Sequence, residues 1–369
     1  MATQFNGRLN PSKVFSAMYN VILFERVLDN KAKSNNELVE MAKIDGGLAG
    51  DKALFVNTDI LGSDVWGEDA EALNLLQLHR PESPTIEEVE VNAYRQIALT
   101  TDTILSKQVM TSEGGFNQLQ SILEGWIGKT KDCYEAKMFN AFIGTKASTA
   151  GAQTVDIPVI SNDNPEVENR LQAQEIGRTL ANLYVKLADA NRDFNNLGNY
   201  YSFDKSEMIV VWNSEYVNKI LNIDKPTIFN SVPALEGAFK YQLPAHFFGD
   251  VLTTGGTTGS ANSSIRSLIE KDYNTVARNK PGYNKRLHVF PGDLLPDNTA
   301  YEANEAYEEK GNKVFVMYHR NSIPFISAFS IGSNFYNAKS LTTNHYMTWG
   351  YSELTTLDGY PFITASINE

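Results

Sequence analysis

The sequence has little of what marks a secreted, disulfide-bonded or membrane protein. Its 369 residues include one cysteine, Cys133, which cannot form a disulfide within the chain and so favours a reducing compartment. Even the longest purely aliphatic and aromatic runs, such as Val21 to Phe24, are far too short to span a bilayer. No secretory leader is recognisable. We therefore expect a protein made and used in a cytoplasm, or in a particle assembled there, with no membrane partner.

Sequence motifs for catalysis and cofactor binding are also lacking. The nearest nucleotide signature, Gly128-Lys129-Thr130, has Leu123 where a P-loop needs its first glycine, and it lies within a helical pattern. The five histidines have no second histidine or cysteine at metal-ligand spacing, and no Gly-x-Ser-x-Gly elbow occurs. Cys133 is predicted to be a small, buried or half-buried helical side chain and not a catalytic thiol. We predict no catalytic, cofactor-binding or metal-binding residues, and hence no enzyme.

Negative charge is concentrated in one part of the chain. Residues 34–103 contain fourteen acidic against four basic residues, a balance of −10 out of a net charge of −12 for the whole chain. Residues 1–33 carry a net charge of +3. A protein with a net negative charge is a poor candidate for binding nucleic acid along its length. The pattern instead predicts a mildly basic amino-terminal arm before an acidic segment, although solvated faces without a partner would give the same pattern.

Two unusually long elements lie almost next to each other. From Ile86 to Thr100 apolar and polar residues alternate, with Val89, Val91 and Ala93 on one face, which predicts a half-buried strand. From Phe116 to Ile143 apolar residues recur at steps of three and four, which predicts one long helix. The strand and helix would reach about 50 Å and about 40 Å, more than most compact enzyme domains need.

The long strand is predicted to form a projecting hairpin with a second long strand, which begins in the alternating segment from Leu54 to Ile60. Gly62 to Gly67, which includes Trp66, supplies turns between them. The carboxylates of Glu87, Glu88 and Glu90 alternate with valines, so we interpret them as a solvated or partner-facing strand edge and not as an acid–base or cation site. Nothing local is expected to cover both faces of this hairpin.

The remaining chain alternates between helices, strands and one surface loop. A short helix containing Phe15 and Tyr19 is expected in the amino-terminal arm, and Asn213 or Ser214 is expected to cap a helix that follows the strand at 208–212. The carboxyl-terminal segment is aromatic and alternating, so we expect it to end inside a sheet. The other predicted elements are a helix at 165–194, a surface loop at 253–264 and a strand at 314–318.

This order of elements resembles the major capsid proteins of tailed phages, the Hong Kong 97-like fold shared with encapsulins. The segments that carry the resemblance are the long hairpin, the long helix, MIVVWNSEYVNKIL at 208–221 and the closing HYMTWGYSELTTLDGYPFITAS. The resemblance implies an α+β fold with an amino-terminal arm, an extended E-loop, a peripheral (P) domain built on a spine helix, and an axial (A) domain. The implied boundaries are arm 1–45, E-loop 46–104, P domain 105–207 with its spine helix at about 115–144, A domain 208–331, and a carboxyl-terminal return to the P domain at 332–369.

The resemblance also implies a function and partners. A major capsid protein of a tailed phage assembles as hexamers and pentamers into an icosahedral shell around double-stranded DNA, in the virion capsid and, during assembly, in the host cytoplasm. The implied partners are other copies of the chain, a separate scaffolding protein or none, a portal, a cement or decoration protein, and DNA by non-specific proximity. The predicted contacts between subunits are Phe15, Tyr19, Phe55, Trp66, Glu87, Glu88 and Glu90.

Two alternatives remain at this point. An encapsulin nanocompartment has the same fold but encloses an enzyme cargo, so the contents of purified particles would separate it from a phage shell. A cytoplasmic enzyme of unknown chemistry is the alternative from another class, and a monodisperse monomer that never assembles would favour it.

Overall fold

A computed structural model of the protein describes residues 36–46, 50–63, 78, 80–102, 113–146, 153–217, 238–251, 269–273, 285–290, 292–294, 298–301, 307–309 and 311–368. The predicted helix containing Phe15 and Tyr19, the turn containing Trp66 and the predicted loop 253–264 lie outside these residues. The helices of the described part are α1 (Glu37–Ala42), α2 (Glu113–Lys146) and α3 (Pro165–Ala188), with single 3-10 turns at Lys205–Glu207 and Ala245–Phe247.

Most strands of the described residues belong to two five-stranded sheets, in the orders β1-β12-β13-β3-β2 and β4-β14-β11-β5-β6. We call the first the arm sheet and the second the core sheet; β7 pairs with β10, and β8 with β9. The strands are β1 (Lys43–Asp45), β2 (Lys52–Asn57), β3 (Thr85–Asp102), β4 (Gln153–Pro158), β5 (Met208–Asn213), β6 (Tyr241–Leu243), β7 (Gly249–Val251), β8 (Glu270–Tyr273), β9 (Lys285–His288), β10 (Tyr307–Glu309), β11 (Lys313–His319), β12 (Phe325–Asn337), β13 (Thr342–Ser352) and β14 (Phe362–Asn368).

The core sheet is covered on both faces, which explains its sequence. Every residue of β5 and of β11 is buried, because alternate side chains face α2 on one side and α3 on the other. Val211 and Val316 pack with Phe142 of α2, whereas Trp212 and Met317 pack in the cluster that contains the apolar stripe of α3. Strand β14 lies inside this sheet between β4 and β11, so the prediction that the carboxyl terminus ends in a sheet is confirmed.

Helix α2 confirms the predicted long helix and joins the two sheets. It has 34 residues, and its apolar residues from Tyr134 to Ile143 are buried between the core sheet and the arm sheet. Trp126 belongs to the apolar pattern predicted from Phe116 to Ile143, but its side chain is 41% exposed, because this stretch of the helix lies beyond the core. The triplet Gly128-Lys129-Thr130 is helical, as predicted, so it forms no phosphate-binding loop.

Helix α3 begins where its sequence signals place it. Asn164 accepts a hydrogen bond from the backbone N–H of Glu166 at 3.0 Å, Pro165 occupies the first turn, and two glutamates lie near the positive end of the helix dipole. The helix ends at Ala188, six residues before the predicted end at Phe194. Asn213 caps the helical turn at 214–217 by accepting the N–H of Glu215 at 3.1 Å, which confirms one of the two predicted caps.

The core sheet joins segments that the sequence assigned to different domains. Strands β5 and β11 come from the proposed A domain, β4 from the proposed P domain, and β14 from the carboxyl-terminal return. Strand β12 crosses the proposed boundary at residue 331. The proposed divisions at 208 and 331 therefore pass through these sheets, so that segments of the proposed P and A domains share the core sheet.

Candidate interaction surface

The hairpin formed by β2 and β3 is the feature that the sequence singled out, and the structure gives it two unlike faces. The strands pair antiparallel, with Lys52 opposite Glu90, Leu54 opposite Glu88 and Val56 opposite Ile86. Strand β2 has 6 residues and β3 has 18, so one of the two strands expected to be long is short. The remainder of β3, from Val91 to Asp102, pairs with β13 of the arm sheet.

The inner face of the hairpin is packed against the rest of the chain. Ala53 and Phe55 of β2 lie against a buried cluster formed by Val89, Val91, Ile326, Ala328 and Leu357. This face is covered by segments distant in sequence, because β12 and the loop before β14 bring apolar side chains beneath it, whereas the other face stays open among the described residues. Phe55, a predicted contact between subunits, thus has apolar partners within its own chain.

The outer face near the base of the hairpin carries a compact charge cluster. The Lys52 ammonium bonds the carboxylates of Glu88 and Glu90, the second at 2.9 Å. These hydrogen bonds raise the pKa of Lys52 to about 12. The two glutamates are therefore partly neutralised within the chain, and the acidic character of this segment is weaker on the hairpin than the sequence suggests.

Further along the outer face the hairpin presents apolar side chains to solvent. Leu54, Val56 and Ile86 are each about 60% exposed, at 61%, 59% and 60%. Ile60 and Leu61, which follow β2, are exposed as well. We call Leu54, Val56 and Ile86 the outer patch. Contiguous exposed apolar side chains of this kind are typical of contact surfaces.

Glu87 has a different environment from the other two predicted glutamates. Its carboxylate accepts hydrogen bonds from the Asn57 side chain at 2.5 Å and from the backbone N–H of Asp358 at 2.6 Å. Because successive residues of a strand point to opposite faces, Glu87 lies on the inner face while Glu88 and Glu90 lie on the outer one. Glu87 therefore ties the hairpin to the loop before β14.

The segment just after β2 is held by the loop that follows α3. The Asp59 carboxylate accepts the N–H of Tyr200 at 2.9 Å and pairs with Arg192 at 2.8 Å, and the Tyr201 hydroxyl donates to the Thr58 carbonyl at 3.2 Å. The hydrogen bond from Tyr200 lowers the pKa of Asp59. Together with Glu87 these contacts fix the direction in which the hairpin leaves the body of the protein.

Strand β3 is also anchored to the long helix. Arg95 donates a hydrogen bond to the Tyr134 hydroxyl at 3.2 Å, and its guanidinium carbon lies 4.0 Å from the centre of the Tyr134 ring. The Tyr134 hydroxyl also bonds the Tyr351 hydroxyl of β13 at 3.0 Å. Strand β3 of the hairpin, helix α2 and strand β13 thus meet at the buried phenol of Tyr134.

The predicted site residues are distributed as follows. Phe55, Glu87, Glu88 and Glu90 lie together on the hairpin, whereas Phe15, Tyr19 and Trp66 lie outside the described residues. Sequence reasoning missed the outer patch, although the signal was present, since Ile86 shares its strand face with Glu88 and Glu90.

Two other kinds of site can be checked among the described residues. They contain no group of three or more histidine, cysteine, aspartate or glutamate side chains placed to hold a metal ion. Within the same described ranges, no helix is both long enough and apolar enough to cross a membrane. Cys133 is half-buried, as predicted, and burial raises the pKa of its thiol, which disfavours the reactive thiolate.

Comparison with known proteins gives a result for the fold only. No protein-family model matches the sequence, and no curated protein matches it. The structure is similar to a chain in the capsid structure of Staphylococcus phage Andhra, with a TM-score of 0.60 at 10% identity over 100% of this chain and 90% of that one. It is also similar to a chain in the structure of the head fiber and inner core protein gp22 of native bacteriophage P68, with a TM-score of 0.58 at 10% identity over 100% and 91% of the two chains.

The chain therefore has a mixed helix-and-strand fold found in phage capsid structures. The resemblance to the capsid proteins of tailed phages, which the sequence suggested, is thus confirmed at the level of the fold.

Proposed function

We propose that the protein is the major capsid protein of a tailed phage, which assembles as hexamers and pentamers into an icosahedral shell around double-stranded DNA. The observation that carries this proposal is the match of the whole chain to a phage capsid structure. The anchored hairpin with its exposed outer patch supports it, because a shell subunit needs apolar surface that only a neighbouring copy covers.

In this proposal the hairpin is the E-loop, α2 is the spine helix of the P domain, and residues 208–331 form the A domain. The outer patch of one copy lies on its neighbour, with Trp66 and the tip of the loop extending that contact. The amino-terminal arm, with Phe15 and Tyr19, runs along the inner shell, where the net charge of +3 on residues 1–33 favours proximity to DNA or a scaffolding protein. A portal and a decoration protein are the remaining proposed partners.

A deletion tests the role of the hairpin. Removing residues 62–70 leaves the described contacts of β2 and β3 intact, so we expect the variant to fold as a monomer, with unchanged circular dichroism, and to form no particles. Normal shells from this variant would refute the assignment of the hairpin to contacts between subunits. The nucleic acid and protein content of wild-type particles separates a phage shell, which encloses DNA, from an encapsulin, which encloses protein.

A further inference from the structure

Strand β12 has an open edge in the part of the chain that the structure describes. On one side it pairs with β13 as far as Asn337. On the other side β1 pairs only with Phe325, Ile326 and Ser327, so residues 330–337 have no strand partner among the described residues. The backbone N–H and C=O groups along such an edge are a ready template for another strand.

This edge lacks the usual protection against pairing. Proteins commonly place lysine, proline or a bulge on exposed edge strands to block the approach of another strand. Strand β12, FISAFSIGSNFYN, contains no charged residue and no proline, in a chain that is 21% charged. Its one register shift falls between Ser327 and Ser330, before the open portion begins.

The open portion is also complementary to a second copy of itself. Ile331, Ser333 and Phe335 lie on one face of the arm sheet, and Ile331 and Phe335 are exposed by 58% and 62%. An antiparallel pair with Ser333 opposite Ser333 of another copy would place Ile331 opposite Phe335 on both sides of the axis. Aromatic and β-branched residues placed opposite each other are favourable cross-strand pairs.

We infer that β12 is a contact between two copies of this chain, in which the two β12 strands pair antiparallel about a two-fold axis at Ser333. The partner is a second copy and not another protein, because the edge complements itself. Any charge near the axis would face its own counterpart, and the absence of charge in β12 removes this repulsion from a chain whose net charge is −12. The contact goes beyond the proposed function, since two copies outside a shell could also form it.

A disulfide test uses the geometry of the two-fold axis. In a Cys133→Ser background, Ser333→Cys would place two thiols on residues about 5 Å apart between Cα atoms, within reach of a disulfide. Asn337→Cys is the matched control on the same exposed strand, because its two copies would lie roughly 26 Å apart. After mild oxidation of the full chain, a covalent dimer on a non-reducing gel is expected for Ser333→Cys and not for Asn337→Cys. No dimer from Ser333→Cys, or equal dimer from both, overturns the contact.

A charge test covers the case in which a cysteine variant folds poorly. Ser333→Lys would oppose two ammonium groups on the axis, so the two-copy contact is expected to be lost while circular dichroism stays unchanged. Thr100→Lys adds the same charge to an exposed position on the same sheet face in β3 and should leave the contact intact. Light scattering measures the association of each variant, and equal association of the two overturns the inference.

Microscopy of the same samples separates this inference from the proposed function. Shells formed by Ser333→Cys without a covalent dimer would leave the capsid function standing and overturn the β12 contact. A covalent dimer without shells would leave the contact standing and count against the capsid function.

Discussion

Arg95 on β3 lies against Tyr134 on α2, with its guanidinium over the phenol ring and an N–H donated to the hydroxyl at 3.2 Å. Since the same hydroxyl bonds Tyr351, one buried side chain of the long helix connects both of the long strands beside it. This anchor holds the strand of the hairpin against the long helix, because a strand without it would be free to rotate about its base.

Replacing Tyr134 by phenylalanine should weaken this anchor. The ring is retained, but Arg95 and Tyr351 each lose a hydrogen bond in a buried setting, which should lower the free energy of unfolding by about 1–3 kcal/mol. Urea denaturation measures the change. Tyr336→Phe, at a position that is 64% exposed, is the control and should change stability by less than about 0.5 kcal/mol. Equal effects of the two substitutions would contradict the anchor.

Two glycines of α2 should respond in opposite ways to alanine. A Cβ at Gly144 would lie 1.9 Å from the carbonyl oxygen of Phe247, so Gly144→Ala must displace backbone and should cost about 1–3 kcal/mol. A Cβ at Gly128 would meet open space, so Gly128→Ala should stabilise the helix by about 0.5–1 kcal/mol. Thermal unfolding of the two variants beside the wild type checks both signs, and a gain in stability from Gly144→Ala would rule out the close contact.

The buried ion pair between Lys313 and Asp250 should be costly to break from one side. The ammonium bonds the Asp250 carboxylate at 2.7 Å and the carbonyls of Gly249 and Gly144, so it joins β11, β7 and the end of α2. Lys313→Met should lower the free energy of unfolding by about 3–5 kcal/mol, because Asp250 stays buried without its cation.

A second substitution in the same chain tests the origin of that cost. The double variant Lys313→Met with Asp250→Leu removes both charges and should recover part of the loss. Lys339→Met, in an exposed turn, is the control for loss of a lysine. Denaturant unfolding measures all three variants, and a double variant no more stable than Lys313→Met would show that the buried charge of Asp250 is not the cause.

His246 should make the protein less stable in mild acid. Its ring packs against Phe247 and stacks on Phe290. Burial lowers the pKa of His246 below the ordinary value of 6.5, while the charge of Asp293 acts in the opposite direction. Between the lowered pKa and 6.5, the unfolded chain binds a proton that the folded chain does not, so stability rises with pH there and is lost as pH falls below about 6.5.

The variant His246→Phe isolates this effect from other titrating groups. Burial raises the pKa of Glu135, so that carboxyl contributes stability with the opposite pH dependence, in wild type and variant alike. Between pH 7 and pH 5, the wild type should lose stability relative to His246→Phe in matched denaturation series. Parallel pH profiles would show that His246 does not titrate differently in the folded and unfolded chains.

The outer and inner faces of the hairpin should separate assembly from folding. Leu54→Asp changes an exposed side chain, so the monomer should keep its stability within about 0.5 kcal/mol but lose the ability to form particles. Phe55→Ala removes packing within the chain and should destabilise the monomer by about 2 kcal/mol. Particle yield and urea unfolding are measured on both variants, and normal particles from Leu54→Asp would exclude the outer patch as a contact.

Much of this structure follows from the local pattern of the sequence. The alternation in β3 placed Val89, Val91 and Ala93 together on the face that is buried, and the apolar run at 208–212 predicted strand β5. The predicted start of α3 at Pro165 is confirmed, because the signals that begin a helix involve residues close in sequence.

The rest depends on contacts between distant residues. Lys52 meets Glu88 and Glu90 only because β2 and β3 pair in one register, and the alternation of a single strand does not specify that register. For the same reason, the alternation of Leu54 and Phe55 does not show which of the two faces inward. Trp126 fits the apolar stripe of its helix, but its exposure depends on where the neighbouring sheets end.

The most direct test of the account is negative-stain electron microscopy of the purified full chain at high concentration. The account predicts closed shells or tubes built from many copies. A monodisperse monomer that forms no particles under any assembly condition would contradict it.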